Sequence, residues 1–222
     1  MAGKIDLRRR MRIADAQYGE VVLAGFVQDI RVLKNIAFIV LRDLSGVVQI
    51  VFKRGSIPDE MFEEACSIPR ESVIAVRGIM VESSIAKLGR EVIPIELEVL
   101  SEASSPLPIE FLDSSVETGL SKRLDYRFLD LRNPAVSAIF RVQSSISNLL
   151  HEFFRSKGFI EVHTPKIVAE ATESGASVFS IDYFGKRAYL AQSPQFYKQM
   201  LMASGFEKVY EIGPVFRAEP HH

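Results

Sequence analysis

The sequence is poor in cysteine. Cys66 is the only one in 222 residues, so no disulfide can form within the chain, and the Cys-x-x-Cys spacing of a zinc or redox centre is absent. No metal site is expected from this pattern, and a reducing cytoplasm suits it. Cys66 follows Glu63-Glu64-Ala65 at helical spacing and reads as a packing residue. Charge of either sign is not in excess: 27 Lys and Arg against 28 Asp and Glu give a net charge of −1. Any contact with a polyanion must therefore come from a local patch. Long apolar runs are lacking too. None approaches the ~20 residues of a membrane helix, and MAGKIDLRRRMRIADAQ has no apolar stretch behind its basic residues, so no signal peptide is expected. These absences predict a soluble cytoplasmic protein with no membrane partner. A hydrophobic content of 47% and a charged content of 25% are ordinary for a globular chain of one or two domains.

Gly19 to Ser101 alternates short β-type runs with turns. The pattern predicts strands at Val21–Arg31, Ile36–Arg42, Val47–Phe52, Ser72–Glu82 and Glu91–Ser101. Lys34-Asn35, Ser45-Gly46 and Lys87-Leu88-Gly89 supply the turns. Between the third and fourth strands, Pro58 to Ala65 reads as a short helix with acidic residues in its first turn. Five strands with a helix in that place follow the order of an OB-fold barrel. Another small β-barrel would share much of this spacing.

Ala103 to Ile109 reads ASSPLPI, a linker, and RLDYRFLDLRNP ahead of Ala135 suggests a hinge element. Ile139 to Lys157 is the clearest helix, with Val142, Ile146, Leu149, Leu150, Phe153 and Phe154 on one apolar stripe and Gly158 as its stop. Further strands are expected at Phe159–Val162, Val178–Tyr183, Arg187–Leu190 and Val209–Arg217. Pro165 belongs at a strand end or edge, because it cannot donate to a ladder. Gln195–Ala203 reads as a helix, with Ser193 as N-cap and Pro194 at its first position. Arg217 and Glu219 stand one residue apart after the apolar run VYEIGPVF. On a strand that spacing puts both on one face, a fit for a phosphate and a base.

These runs resemble the class II aspartyl-tRNA synthetases in their archaeal or eukaryotic-cytosolic form. FRVQSSISNLLHEFFRSKGFIEVHTPKI resembles motif 1, ATESGASVF the mobile loop over the amino acid, AYLAQSPQFYKQ the amino-acid-binding segment, and VYEIGPVFRAE the first strand of motif 2. GFVQDIRVLKNIAFIVLRDLSGVVQIVF resembles the anticodon-binding OB domain, and RLDYRFLDLRNP the hinge. The resemblance implies an OB-fold anticodon-binding domain at 1–103, a linker at 104–133, and at 134–222 an incomplete α+β catalytic domain on an antiparallel sheet. It implies ATP-dependent activation of L-aspartate to aspartyl-adenylate and transfer to the 3′ end of tRNA-Asp.

By resemblance, Arg217 is catalytic and contacts the α-phosphate and the substrate carboxylate, and Glu219 binds in the adenosine region. Glu173 receives the substrate ammonium, and Gln195 and Lys198 bind aspartate, with Lys198 pairing the side-chain carboxylate. Phe38 stacks on an anticodon base, or alternatively lies in the barrel core. Gln49 and Glu91 read base edges, and Arg31 and Lys87 meet phosphates. Pro165 closes motif 1 at a homodimer interface. Two positions depart from the family: Ser174 stands where the loop usually has glycine, and Phe26 stands where strand one usually has tryptophan. The second leaves open whether tRNA-Asn is also charged. The return strand of motif 2, motif 3 and the Mg2+ ligands are expected beyond His222, with His221-His222 opening the motif 2 loop, so the 222-residue chain alone is expected to be inactive. An asparaginyl enzyme, or a tRNA-binding OB module without catalysis, remains an alternative, and Lys198 argues against the first.

Overall fold

The computed structural model describes residues 5–84, 86, 89–112, 117–170 and 178–219. The chain divides into two compact units, Met1–Pro108 and Ile109–His222.

The first unit is a closed barrel of β1 (Gly19–Val32), β2 (Ile36–Arg42), β3 (Val47–Lys53), β4 (Val73–Glu82) and β5 (Arg90–Ser101), in the order β1-β2-β3-β5-β4. Helix α1 (Asp59–Ser67) lies between β3 and β4 in sequence. The period of two in each strand decides what faces the core. In β2, Ala37, Ile39 and Leu41 are fully buried while Phe38 and Val40 are only half-buried. In β3, Val48, Ile50 and Phe52 go inside and Gln49 does not. Phe38 is thus not a core residue, which removes that alternative. Phe62 and Ala65 of α1 join the core, and Cys66 packs beside them, where burial pushes its thiol up.

Two details hold the barrel tight. The β3–β5 pairing is parallel, at Gln49↔Glu91 and Ile50↔Val92; the other strand pairs in the barrel are antiparallel. Gly78 sits where β4 and β5 lose register beside Arg77, and a Cβ there would lie 2.4 Å from the Ile93 carbonyl oxygen.

In the second unit, α2 (Leu120–Asp125) and α3 (Arg127–Asp130) lie in the segment expected to be the hinge. The buried Asp130 carboxylate accepts from Arg123 at 2.7 Å and also pairs with Arg127; the Arg123 bond holds Asp130 below the usual carboxylate range. Helix α4 (Pro134–Ser156) starts five residues before the apolar stripe indicates. Asn133 caps it, its Oδ1 accepting from the Ala135 N–H at 2.8 Å, and Pro134 occupies the first turn. Gly158, at φ +77°, follows its C-terminus.

The strands are β6 (Ile160–Glu161), β7 (Ile167–Val168), β8 (Ser180–Tyr183), β9 (Lys186–Leu190) and β10 (Val209–Tyr210), with α5 (Gln195–Ala203) between the last two. β7-β9-β8 is antiparallel, whereas β10 pairs with β6 in parallel. The strand expected over Val209–Arg217 is therefore corrected to two residues. Strand structure needs a ladder of partners, and beyond Tyr210 the Phe216 N–H donates once, to Ala191 O at 3.0 Å. Arg217 and Glu219 lie on no strand. Among the described residues no helix is long and apolar enough to cross a membrane.

Gly78→Ala should destabilise the barrel by about 1–3 kcal/mol, the usual cost of overpacking against atoms that cannot yield. Urea unfolding followed on the barrel transition measures it, and an unchanged midpoint would contradict the close approach.

Candidate functional site

One outer face of the barrel carries a cleft of about 580 Å³ lined by Arg31, Phe38, Gln49 and Arg90, among others. Strand register assembles it. Phe38 pairs with Arg31 across β1 and β2, and Gln49 pairs with Glu91 across β3 and β5. Gln49 Nε2 donates to Glu91 Oε2 at 3.3 Å, and Ser83 Oγ donates to the same oxygen at 3.0 Å. A half-buried aromatic ring, an oriented amide and carboxylate, and an exposed guanidinium thus share one surface. That set can stack a base, read its edge and meet its phosphate. Four of the five expected anticodon-binding residues come together here; Lys87 lies outside the described residues.

Arg90 belongs to this site although the sequence reading passed over it. Its Nη1 and Nη2 donate to Ala16 O and Ile13 O, both at 2.9 Å. Its place directly before Glu91 was the available signal. Phe26 supports the Arg42 guanidinium, 5.7 Å above its ring centroid, and Arg42 is bound to the buried Glu71 at 2.8 Å.

In the second unit, Gln195 and Lys198 lie three residues apart on α5, on one helical face, with Gln195 exposed and Lys198 half-buried. The Gln195 N–H donates to Ser193 Oγ at 3.2 Å, but the N-cap is Pro194 and not Ser193 as expected, because the first helical hydrogen bond runs from the Lys198 N–H to the Pro194 carbonyl. Arg217 and Glu219 are exposed and, as noted, off any strand. The Phe216–Ala191 hydrogen bond ties the segment just before Arg217 to the chain just after β9. Pro165 is exposed. Glu173, Ser174, Gly175, His221 and His222 lie outside the described residues.

Beside Pro165 is a cluster that the sequence did not reveal. The Glu211 side chain is 3% exposed and accepts from Lys166 Nζ at 2.6 Å. It also accepts from the Thr164 N–H at 3.1 Å and from Thr164 Oγ1 at 2.9 Å. Burial pushes the Glu211 carboxyl up, but Lys166 and the two Thr164 donors outweigh it, and the net shift is downward. Thr164 and Glu211 are 47 positions apart, so no local pattern marks the pair. A second knot joins α4 to the β6–β10 pair: Tyr210 OH donates to Glu161 Oε2 at 3.0 Å, His151 Nδ1 lies 3.0 Å from the same hydroxyl, and Tyr210 stacks on Phe154.

Comparison with known proteins matches this division. Residues 21–100 match the OB-fold nucleic acid binding domain family, and residues 119–222 match the class II tRNA synthetases (D, K and N). The chain carries a class II tRNA synthetase domain behind an OB-fold. The aspartate–tRNA(Asp/Asn) ligase of Archaeoglobus fulgidus is 52% identical over 203 residues, 91% of this chain and 47% of that protein. The aspartate–tRNA(Asp) ligase of Pyrococcus abyssi is 49% identical over 91% of this chain and 46% of its own length. Among solved structures, the asparaginyl-tRNA synthetase of Pyrococcus horikoshii, complexed with asparaginyl-adenylate, superposes with a TM-score of 0.83 at 35% identity, over 91% of this chain and 46% of that one. The chain spans about half the length of the curated relatives it matches.

Glu211 is more acidic in the folded chain than an ordinary glutamate, whose value is about 4.3. Its ionised network therefore stabilises the fold above that value and loses its contribution as pH falls through the depressed folded value. Glu211→Gln should be less stable than the parent near neutral pH, with the gap closing as both are acidified below that range. Thermal melts across pH measure it; a gap that widens on acidification would contradict the network.

Proposed function

We propose that this chain is part of an aspartate–tRNA ligase. The observation that carries the reading is the barrel cleft, where Phe38, Gln49 and Arg31, with Glu91 hydrogen-bonded to Gln49, present stacking, base-edge and phosphate-binding groups on one face. The relatives named aspartate–tRNA ligase support the substrate class. Phe38 stacks on an anticodon base, Gln49 and Glu91 hydrogen-bond base edges, and Arg31 and Lys87 meet the backbone. Residues 1–103 form the anticodon-binding domain, 104–133 the hinge, and 134–222 the first part of the catalytic domain.

In the first step the aspartate α-carboxylate attacks the α-phosphorus of ATP. The bond to pyrophosphate breaks, and pyrophosphate leaves with its electron pair. In the second, a hydroxyl of the terminal adenosine of tRNA attacks the acyl carbon, loses its proton, and AMP leaves. Arg217 is the group assigned to the charge that builds at phosphorus, since a guanidinium fork grips phosphate oxygens at fixed geometry. Glu219 holds the adenosine region. Lys198 pairs the aspartate side-chain carboxylate, Gln195 hydrogen-bonds the substrate from the same helical face, and Glu173 takes the substrate ammonium. ATP is a substrate and Mg2+ accompanies it. Among the described residues no group of three or more His, Cys, Asp or Glu is arranged to hold a metal ion, and no residue here is assigned to magnesium.

Homodimer formation belongs to the same proposal. Helix α4 has no buried residue, and Ile139, Val142, Ile146, Leu149 and Phe153 are each at least half exposed. A second copy that covers this face would take that apolar surface out of water, with Pro165, also exposed, assigned to the same interface.

Aspartate-dependent ATP–pyrophosphate exchange by the intact gene product tests the reaction. Exchange driven by asparagine instead would replace the reading with that of the structural relative. In the intact enzyme, Lys198→Met should raise the aspartate requirement about 10- to 150-fold, the loss of one charge-assisted hydrogen bond of roughly 1.5–3 kcal/mol. In the barrel, Phe38→Ala should weaken tRNA-Asp binding at least about fivefold, from the ~1–3 kcal/mol of base–aromatic stacking. A tRNA with its anticodon bases replaced should bind the parent equally weakly. Equal affinity for both tRNAs would remove the cleft from recognition.

A further inference from the structure

The segment ahead of β1 is a strap laid on the barrel and fastened at both ends. Ile5, Ile13 and Ala16 are buried, at 4%, 1% and 2% exposure. The Ile5 N–H donates to Glu98 Oε2 at 2.9 Å and the Met11 N–H to Val22 O at 3.0 Å. The Ile13 N–H donates to Asp43 Oδ2 at 2.9 Å and the Ala14 N–H to Ser45 Oγ at 3.0 Å. Two short 3-10 turns, Leu7–Arg9 and Ile13–Asp15, shape it, the first capped by Asp6, which accepts from the Arg8 N–H.

Between these fastenings stand Arg8, Arg9, Arg10 and Arg12, all exposed. Among the described residues one ion pair involves the four: Arg10 Nη2 to Asp43 Oδ2, at 3.9 Å. Asp43 is already engaged by the Ile13, Ser45 and Gly46 N–H groups and the Ser45 hydroxyl, so it offers the arginines little. Four guanidiniums in five positions repel one another. The fold nevertheless spends buried apolar groups and backbone hydrogen bonds to keep them in place on a chain of net charge −1. An anchored basic array binds an anion at a lower ordering cost than a loose one. The strap also borders the cleft: Arg90 lines the cleft and donates to the strap carbonyls of Ile13 and Ala16.

We propose that the arginine strap is a phosphate-backbone clamp for the RNA whose bases enter the cleft. It rests on the tRNA-binding reading of that cleft. Guanidinium forks match phosphate oxygens, and phosphate contacts fix register while the cleft reads bases. An anionic membrane is the poorer occupant, because Ile13 and Ala16 are buried in the barrel core and Ile5 against Val22, Ala24 and Ala75, so none is available to insert into lipid.

The test is the affinity of the 222-residue chain for tRNA-Asp, by fluorescence anisotropy, as salt is raised from about 50 to 200 mM. The triple variant Arg8→Ala, Arg9→Ala, Arg12→Ala should flatten the slope of log affinity against log salt by about two, since each lost contact removes about 0.7 on single strands. The triple Arg→Lys variant at the same positions should keep most of the slope, and Gln49→Ala should weaken binding without changing it. An Ala variant with the parent slope, in a protein where Gln49→Ala still weakens binding, overturns the clamp alone. So does loss of binding to phosphatidylserine vesicles with the tRNA slope intact. A parent chain that does not bind tRNA at all overturns the cleft reading and the clamp together. Unchanged thermal melting of the Ala variant excludes unfolding as the cause.

Discussion

The barrel closes on two residue pairs. β3 meets β5 in parallel at Gln49↔Glu91 and Ile50↔Val92, and both faces of the domain depend on that register. Ile50 and Val92 point inward, are fully buried and seal the core. Gln49 and Glu91, one step along each strand, point outward and hydrogen-bond in the cleft. Because side chains alternate with a period of two, a slip by one residue would put an amide and a carboxylate in the core and two aliphatic chains in the cleft. The same hydrophobic burial that stabilises the barrel thus sets the geometry of its polar outer face. Glycine at Gly78 permits the close β4–β5 approach next to that closure.

Buried charge in both units is paired, as its desolvation demands. Arg42 is held by Glu71 in the barrel, and in the second unit Asp130 is held by Arg123 and Arg127 and Glu211 by Lys166. The Arg42–Glu71 and Lys166–Glu211 pairs each pin two stretches of chain 29 and 45 positions apart, whereas the Asp130 pairs are local. The strap before β1 is different. Its arginines are held on the surface by apolar anchors on either side of them, so its positive charge remains available to an anionic partner.

Much of the fold was legible because it rests on local patterns. The five barrel strands, the helix α1 and the helix α5 lie within a few residues of where alternation, turn residues and capping put them. For α4 the apolar stripe located the body of the helix but missed its start, because Asn133 and Pro134 begin it through capping and backbone geometry while the stripe begins at Ile139. That stripe was also ambiguous about its partner: periodicity says that a face is apolar and not what covers it. The failure at Val209–Arg217 has a related cause. VYEIGPVF has strand composition, but a strand exists only where a neighbour offers donors and acceptors, and β6 offers them to Val209 and Tyr210 alone.

What the sequence determined by itself was therefore the set of elements, the order of the barrel, and the chemical types of the candidate site residues. These follow from interactions between residues close along the chain. Tertiary structure alone decided which way Phe38 faces, that Gln49 reaches Glu91, that Arg90 joins the cleft to the strap, and that Thr164, Lys166 and Glu211 form one network. The last three of those facts depend on pairings across 42 to 77 positions. At such separations the chain's own periodicity carries no information, and only closure of the barrel and the folding of the second unit bring the groups together.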